Sequence, residues 1–350
     1  MAGGELKTGL KRFILTIALL GLSGCTQSSD CSRKDVFCVG LVTDVLGIDD
    51  HGMNQYTWVG LEEAKASGLA DRVDYIESVD ARDYEKNIAY FAEKGYDVIV
   101  TTNMGPQDET LRGADLYPDS PQGAAPVFIG MNQPQEEARS NLIPVTFPED
   151  RMGFAAGALA ARISETQIVG AVCETSGIDS MWRYCEGFRA GVVFVNRFVN
   201  RNVKALVIYR DNGDSEKLFV DEAWGHETAL GLIQRGADVI FAAGGATGQG
   251  ALKAANELHV KGIGSERDQG AVLGESGSSV VTSLFGAANL EVQKAFRMIK
   301  EGNIHKVETG QIQYVPFDKK YPENWAQEMD MLLLALQNGD VKTKVSLTKP

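Results

Sequence analysis

Val36-Phe37-Cys38-Val39-Gly40-Leu41-Val42-Thr43 is an apolar, largely β-branched run that passes straight into Asp44 and the turn-rich Leu46-Gly47-Ile48-Asp49-Asp50-His51-Gly52. A short apolar run without polar alternation predicts a strand buried on both faces, and the stretch after the turn, near 53–67, carries helical periodicity. The same unit recurs along the chain. Further strands are predicted at 72–77, 96–102 and 126–131, with helices near 83–94 and 107–115. A second series has strands at 166–173, 202–209, 237–243 and 260–264, with helices near 150–163, 181–196, 218–235 and 247–258. Strands alternating with helices predict an α/β fold built on parallel sheets. Two similar halves joined around 143–150 predict two Rossmann-like lobes. A tail of strand 278–285, helix 287–301, strand 310–315 and helix 324–338 predicts further crossings between the halves as hinge strands.

The chain has 350 residues, 44% of them apolar, with 38 Gly and 10 Pro, enough for about two packed domains and unlike a disordered or fibrous composition. Its 34 basic and 47 acidic residues give a net charge of −13, and no basic cluster interrupts that balance. Nucleic acid is therefore excluded as an expected partner, because phosphate binding needs a Lys/Arg footprint.

Lys7, Lys11 and Arg12 precede the apolar run Phe13–Leu20, which is too short to span a bilayer and predicts a signal peptide over 1–24. It ends in Leu22-Ser23-Gly24-Cys25, a lipobox pattern that makes Cys25 the expected lipid anchor. Residues 25–35 are polar and aperiodic and are expected to form a lipidated tether. The other cysteines are Cys31, Cys38, Cys173 and Cys185, an even number for an oxidising compartment. Nearness in sequence suggests Cys31–Cys38 and Cys173–Cys185, though three pairings are open and free thiols remain an alternative. None has zinc-site spacing.

In open parallel sheets ligands sit beyond the carboxyl ends of the strands, so chemistry is read in those loops. Asp44 ends the first strand without a capping role, and Asp50 is an expected N-cap for the helix that follows, which carries Met53 and Asn54. Asn103 and Met104 follow the third strand, in a turn that could line the same crevice. In the second half Trp182, Phe219 and Trp224 stand at expected helix starts, where aromatics can stack on a planar ligand, although packing is the commoner role. The run Gly244-Gly245-Ala246-Thr247-Gly248-Gln249-Gly250 opens a helix, so Gly245 could present a backbone N–H to a polar group. It lacks the Gly-Lys-Ser/Thr of a P-loop and is a poor dinucleotide fingerprint. The four histidines lie in separate segments, and neither an HExxH nor a Gly-x-Ser-x-Gly pattern occurs. Binding without turnover, with no cofactor and no metal, is the expected chemistry.

The lipobox, Thr43-Asp44, the spaced Asp49-Asp50, Asn54, Trp58 and Gly60, and Gly153-Phe154-Ala155-Ala156-Gly157 occur in one order with Gly187-Phe188-Arg189-Ala190-Gly191 and Ala237-Asp238-Val239-Ile240-Phe241. Together they resemble the basic membrane lipoprotein family, the PnrA-like substrate-binding proteins of ABC importers. The resemblance implies a type I periplasmic-binding-protein fold, two α/β lobes joined by three crossing strands, and for many members a purine nucleoside between the lobes. It implies that Asp44 holds the ligand from the first lobe, that Asn54 supports its loop, that Phe219 offers a stacking face and that Glu266 grips ribose hydroxyls. Three positions depart from the family pattern: Met53 replaces a stacking Phe, Glu266 replaces an Asp, and Gly286 stands where a ribose-contacting Lys is usual. Trp182 or Trp224 could restore an aromatic wall.

The first lobe is expected to take 36–145 plus 280–308, and the second 146–279 plus 309–350. The expected function is that of a monomeric, membrane-anchored lipoprotein of the cell envelope. It faces the periplasm or exterior and delivers a nucleoside-like solute to an ABC permease. The alternatives are a receptor feeding a sensory system, or a binder of another solute such as a flavin or sugar.

Overall fold

The computed structural model describes residue 1 and residues 30–118, 125–135, 139–174, 181–210, 217, 219–304, 308–346 and 348. Cys25, the leader and Asp179-Ser180 lie outside the described residues.

The first sheet holds β1 (Cys38–Val42), β2 (Arg72–Ile76), β3 (Val98–Thr102), β4 (Val127–Met131) and β5 (Leu142–Thr146). The second holds β6 (Ile168–Glu174), β7 (Lys204–Arg210), β8 (Val239–Ala243), β9 (Lys261–Ser265) and β10 (Val280–Gly286). Two short strands complete them: β11 (Glu308–Thr309) joins the first, and β12 (Ile312–Tyr314) joins the second. The orders are β2-β1-β3-β4-β5-β11 and β7-β6-β8-β9-β10-β12. All pairs are parallel except β10 with β12. The unbroken apolar runs are buried along their length in β1, β3, β4 and β8, as doubly covered strands require.

Around the first sheet lie α1 (Met53–Ala66), α2 (Tyr84–Glu93) and α3 (Gln107–Leu116). The second lobe carries α4 (Glu149–Ile163), α5 (Trp182–Val199), α6 (Glu222–Gln234), α7 (Gly245–Glu257) and the short α8 (Gln269–Leu273). The tail adds α9 (Ala288–Lys300) and α10 (Glu323–Asn338). The glycines of the α4 and α5 motifs are explained by packing. A Cβ at Gly153 would stand 2.0 Å from the carbonyl oxygen of Tyr184, and one at Gly191 2.0 Å from that of Phe154. These two backbones touch, so the motif residues fix helix spacing and carry no ligand chemistry themselves.

Several expectations are corrected. Strand 280–286 pairs with Gly262–Ser265 and so belongs to the second sheet, not to the first lobe; only the helix after it packs on the first lobe. The strand expected at 310–315 is present as β12 at Ile312–Tyr314, and a second short strand, β11, precedes it on the other sheet, with Gly310 and Gln311 carrying the chain across. Thr309 thus pairs in the first sheet. Phe219 is outside helix α6, in the left-handed region at φ 59°. The expected tether at 25–35 overlaps the first lobe, because Cys31 is 7% exposed, disulfide-bonded to Cys38 and packed into that lobe. The second bridge joins Cys173 to Cys185.

Three segments cross between the lobes, at 147–148, at 287 and at 310–311. Phe147 sits at their junction, buried, with its ring over both Gly286 and Gly310. The crossings are stitched together by Ala287 N–H to Gln311 O (2.8 Å), Gly310 N–H to Thr146 O (2.7 Å) and Gln311 N–H to the buried Glu291 carboxylate (3.0 Å). Gly286 therefore has a steric reason: the ring of Phe147 occupies the space a side chain there would enter.

Candidate functional site

Each sheet reverses its strand order beside its first strand, between β1 and β3 in one and between β6 and β8 in the other. In open α/β sheets the crevice at such a point receives ligands. Asp44 and Asn103 follow β1 and β3, while Glu174 ends β6 and Gly244-Gly245 follow β8.

Asp44 is 8% exposed and held by donors on both oxygens. Its Oδ1 accepts from Asn54 Nδ2 (2.7 Å) and Leu46 N–H (3.1 Å), and its Oδ2 from Asn103 Nδ2 (3.0 Å). Asn54 is itself fully buried and accepts a short hydrogen bond from the Thr102 hydroxyl. Gln133 donates to the Asn103 carbonyl (2.8 Å), which helps hold that residue at φ 61°. Neutral amides thus orient an anionic carboxylate whose remaining lone pairs can accept from a ligand.

Asp50 caps α1 from two residues before the N-cap position, which is Gly52. Its carboxylate accepts from Gly52, Asn54 and Gln55 N–H (2.8, 3.2 and 3.1 Å). Burial raises its pKa, and those three donors with Arg267 oppose the rise. Its role is structural support for the loop. Met53 is buried in the core, while Met104 is 39% exposed at the rim.

In the second lobe Phe219, Gly245 and Glu266 come together. Phe219 O accepts from Ala246 N–H (2.8 Å), and a Cβ at Gly245 would stand 2.6 Å from that same oxygen, so the close approach requires glycine. Glu266 lies at φ 69° after β9, and its pKa is raised by desolvation, opposed by Arg267 and by the Gly245 N–H. Non-glycine residues in the left-handed region are uncommon, and four of them, His51, Asn103, Phe219 and Glu266, stand in these loops. The loops of the two lobes touch: Asp268 N–H donates to His51 O (2.9 Å) and Arg267 Nη1 to Asp50 O (3.3 Å). Beside them Tyr56 stacks on Phe285 at 4.6 Å.

The two tryptophans lie elsewhere. Trp182 is buried and lines a groove between α5 and residues 339–346, with Phe154 and Phe194. Trp224 packs on the outer core of the second sheet, 5.4 Å beneath the Arg210 guanidinium. Arg210 in turn pairs with Asp221 (2.8 Å) and lies 3.7 Å from the fully buried Glu174. Glu174, at this end of the second sheet, was not singled out from the sequence. Glu174 carried a usable signal, a carboxylate directly after an apolar strand, as at Asp44. Among the described residues no cluster of His, Cys, Asp and Glu could hold a metal, and no helix is long and apolar enough to cross a membrane.

Residues 37–315 match the family model for ABC transporter substrate-binding proteins of the PnrA-like type. The chain is 29% identical over 284 residues to a CD4+ T-cell-stimulating antigen of Listeria monocytogenes, covering 74% of each chain. It is 23% identical over 263 residues to the ABC transporter nucleoside-binding protein BmpA of Lactococcus lactis, covering 71% of this chain and 70% of that one. In fold it is similar to an ABC transporter solute-binding protein of Conexibacter woesei, with a TM-score of 0.69 at 21% identity, over 88% of this chain and 98% of the other.

Proposed function

This chain belongs to the PnrA-like family of ABC transporter substrate-binding proteins, and on that premise we propose that it holds a nucleoside-like solute between its lobes for an ABC importer. The supporting observation is a pair of acidic loops at the carboxyl ends of the two sheets, Asp44 in its amide cradle at the switch point of the first and Glu266, after β9, beside Gly245 in the second. Both offer acceptors, which suits a ligand rich in hydroxyl and amino donors and disfavours an anionic one. Phe219 supplies an apolar face, while Met53, buried in the core, backs the first-lobe side without a ring. Met104 and Asn103 border the first-lobe side. Trp182 and Trp224 are assigned to packing in this reading.

Function follows from hinge closure. A ligand that contacts both lobes binds the closed arrangement more tightly and shifts the population toward it, giving the permease a distinct surface to dock on. The lipobox supports anchoring at Cys25 in the cell envelope, and the protein acts as a monomeric carrier without turnover. Native mass spectrometry of the protein purified without denaturation, with calorimetry against inosine, adenosine, riboflavin and ribose, tests the reading. A retained nucleoside and saturable inosine binding are expected. Binding of riboflavin or ribose in place of every nucleoside would overturn the substrate class.

A further inference from the structure

Tyr184 stands in the first turn of α5, 3% exposed, and among the described residues the one hydrogen-bond partner of its hydroxyl is Met152 Sδ at 3.8 Å. A thioether is a weak acceptor, and a buried tyrosine hydroxyl ordinarily finds a better one. The ring is held from several sides. Its own carbonyl oxygen lies against Gly153, where a Cβ would come within 2.0 Å, and the next residue is Cys185, bonded to Cys173 at the end of β6. The ring also lies 6.3 Å from Phe241 on β8, the strand that leads into Gly244-Gly245. Backbone contact, disulfide and aromatic neighbour thus fix a polar group at the carboxyl end of the second sheet, where the site lies.

Beside burial, the charges whose fields act on this phenol are Glu266, from the loop after β9, and Glu149, from the start of α4. With burial they raise its pKa well above the ordinary tyrosine value, so it keeps its proton and can act as a donor. Asp44 and Glu266 are acceptors. A site with two anionic acceptors and one fixed neutral donor reads a ligand whose one end donates and whose other end accepts.

We propose that the Tyr184 hydroxyl is a ligand-reading group of the second lobe, donating to an acceptor atom of the base, a ring nitrogen or carbonyl oxygen, while the carboxylates take the donor-bearing part. This rests on the nucleoside reading above. It makes Tyr184, rather than Trp182, the aromatic residue of this helix start that recognises ligand.

The test is Tyr184→Phe, which removes one oxygen and keeps the ring. Calorimetry is run on both proteins with inosine and with three analogues: 7-deazainosine and 3-deazainosine, each lacking one ring-nitrogen acceptor, and purine riboside, which lacks the carbonyl oxygen and carries an N1 acceptor in place of N1–H. Inosine affinity should fall about 3- to 10-fold, while the apo melting temperature stays level or rises because a poorly partnered buried hydroxyl is gone. One analogue should show the same loss in the wild type and no further loss in the variant. Unchanged inosine affinity, or equal additional losses on all three analogues, would overturn the proposal. If the wild type takes no nucleoside, the parent reading fails. The role of Tyr184 is then judged by native mass spectrometry on the solute retained through purification: a smaller retained fraction in Tyr184→Phe supports it, and an equal fraction overturns it.

Discussion

Gly286→Ala adds one methyl group at the junction of the three crossing segments. The new Cβ would meet the Phe147 ring at 2.3, 2.3 and 2.7 Å, where ordinary contact begins about 1 Å farther out. The ring cannot swing clear, because a Cβ built at Gly310 would also stand 2.3 Å from it, so both sides are already at the limit of backbone approach. Overpacking of a closed core site costs about 1–3 kcal/mol, and the clamp places this substitution near about 3 kcal/mol. At roughly 2 °C per kcal/mol for a chain of this size, the melting temperature falls by about 6 °C. The double substitution Gly286→Ala with Phe147→Leu should recover part of the loss, with a coupling of at least about 1 kcal/mol, because the two residues share one space. Calorimetric melting of the wild type, both single variants and the double variant measures this. A Gly286→Ala protein that melts within about 1 °C of the wild type, or a cycle with no coupling, would refute the steric account of this glycine and of the hinge built around it.

Asp44→Ala should abolish measurable inosine binding in a titration and also lower apo stability by about 1–3 kcal/mol, because the Asn54 and Asn103 amides lose their acceptor. Glu266 has a raised pKa, so the stability it lends the apo protein is full below the ordinary glutamate value of 4.5 and is lost as pH rises through the raised value. Glu266→Gln should therefore match the wild type in melting near pH 4 and exceed it at pH 7, and a constant difference across that range would count against the assignment. Replacing Cys173 and Cys185 together by serine opens a loop whose ends are 12 residues apart and should cost about 3 kcal/mol, read as a lower melting midpoint under conditions that leave Cys31–Cys38 intact. Trp224→Phe should change melting through its contact with Arg210 and leave inosine affinity within about 2-fold, since one ring is exchanged for another outside the crevice.

The alternation that begins at Val36 was sufficient for the fold class, because unbroken apolar strands and amphipathic helices follow from side-chain periodicity alone. That a carboxylate stands at the carboxyl end of the first strand was legible too, because Asp44 follows that apolar run almost directly. The short-range disulfides were suggested by spacing and are present as suggested. Asp50, read as a cap, does cap α1, though from a position two residues farther out.

Allegiance of the tail strands was not legible. The residues 280–286 read as a buried strand wherever they go, and which sheet edge takes them is a matter of register and of where the chain turns at Gly310. The tryptophans could not be placed from sequence, because an aromatic at a helix start has the same local signature whether it faces the crevice or the outer core. Gly286 had no local explanation in sequence, since its reason is a phenylalanine 139 positions earlier. Sequence by itself determined the strands, the helices and the carboxylate of the first lobe, all properties of neighbours along the chain. Tertiary structure alone decided which loops meet across the lobes, why Gly286 is small and that, among the described residues, the Tyr184 hydroxyl bonds a sulfur. Those depend on contacts between segments far apart in sequence, and no local pattern encodes them.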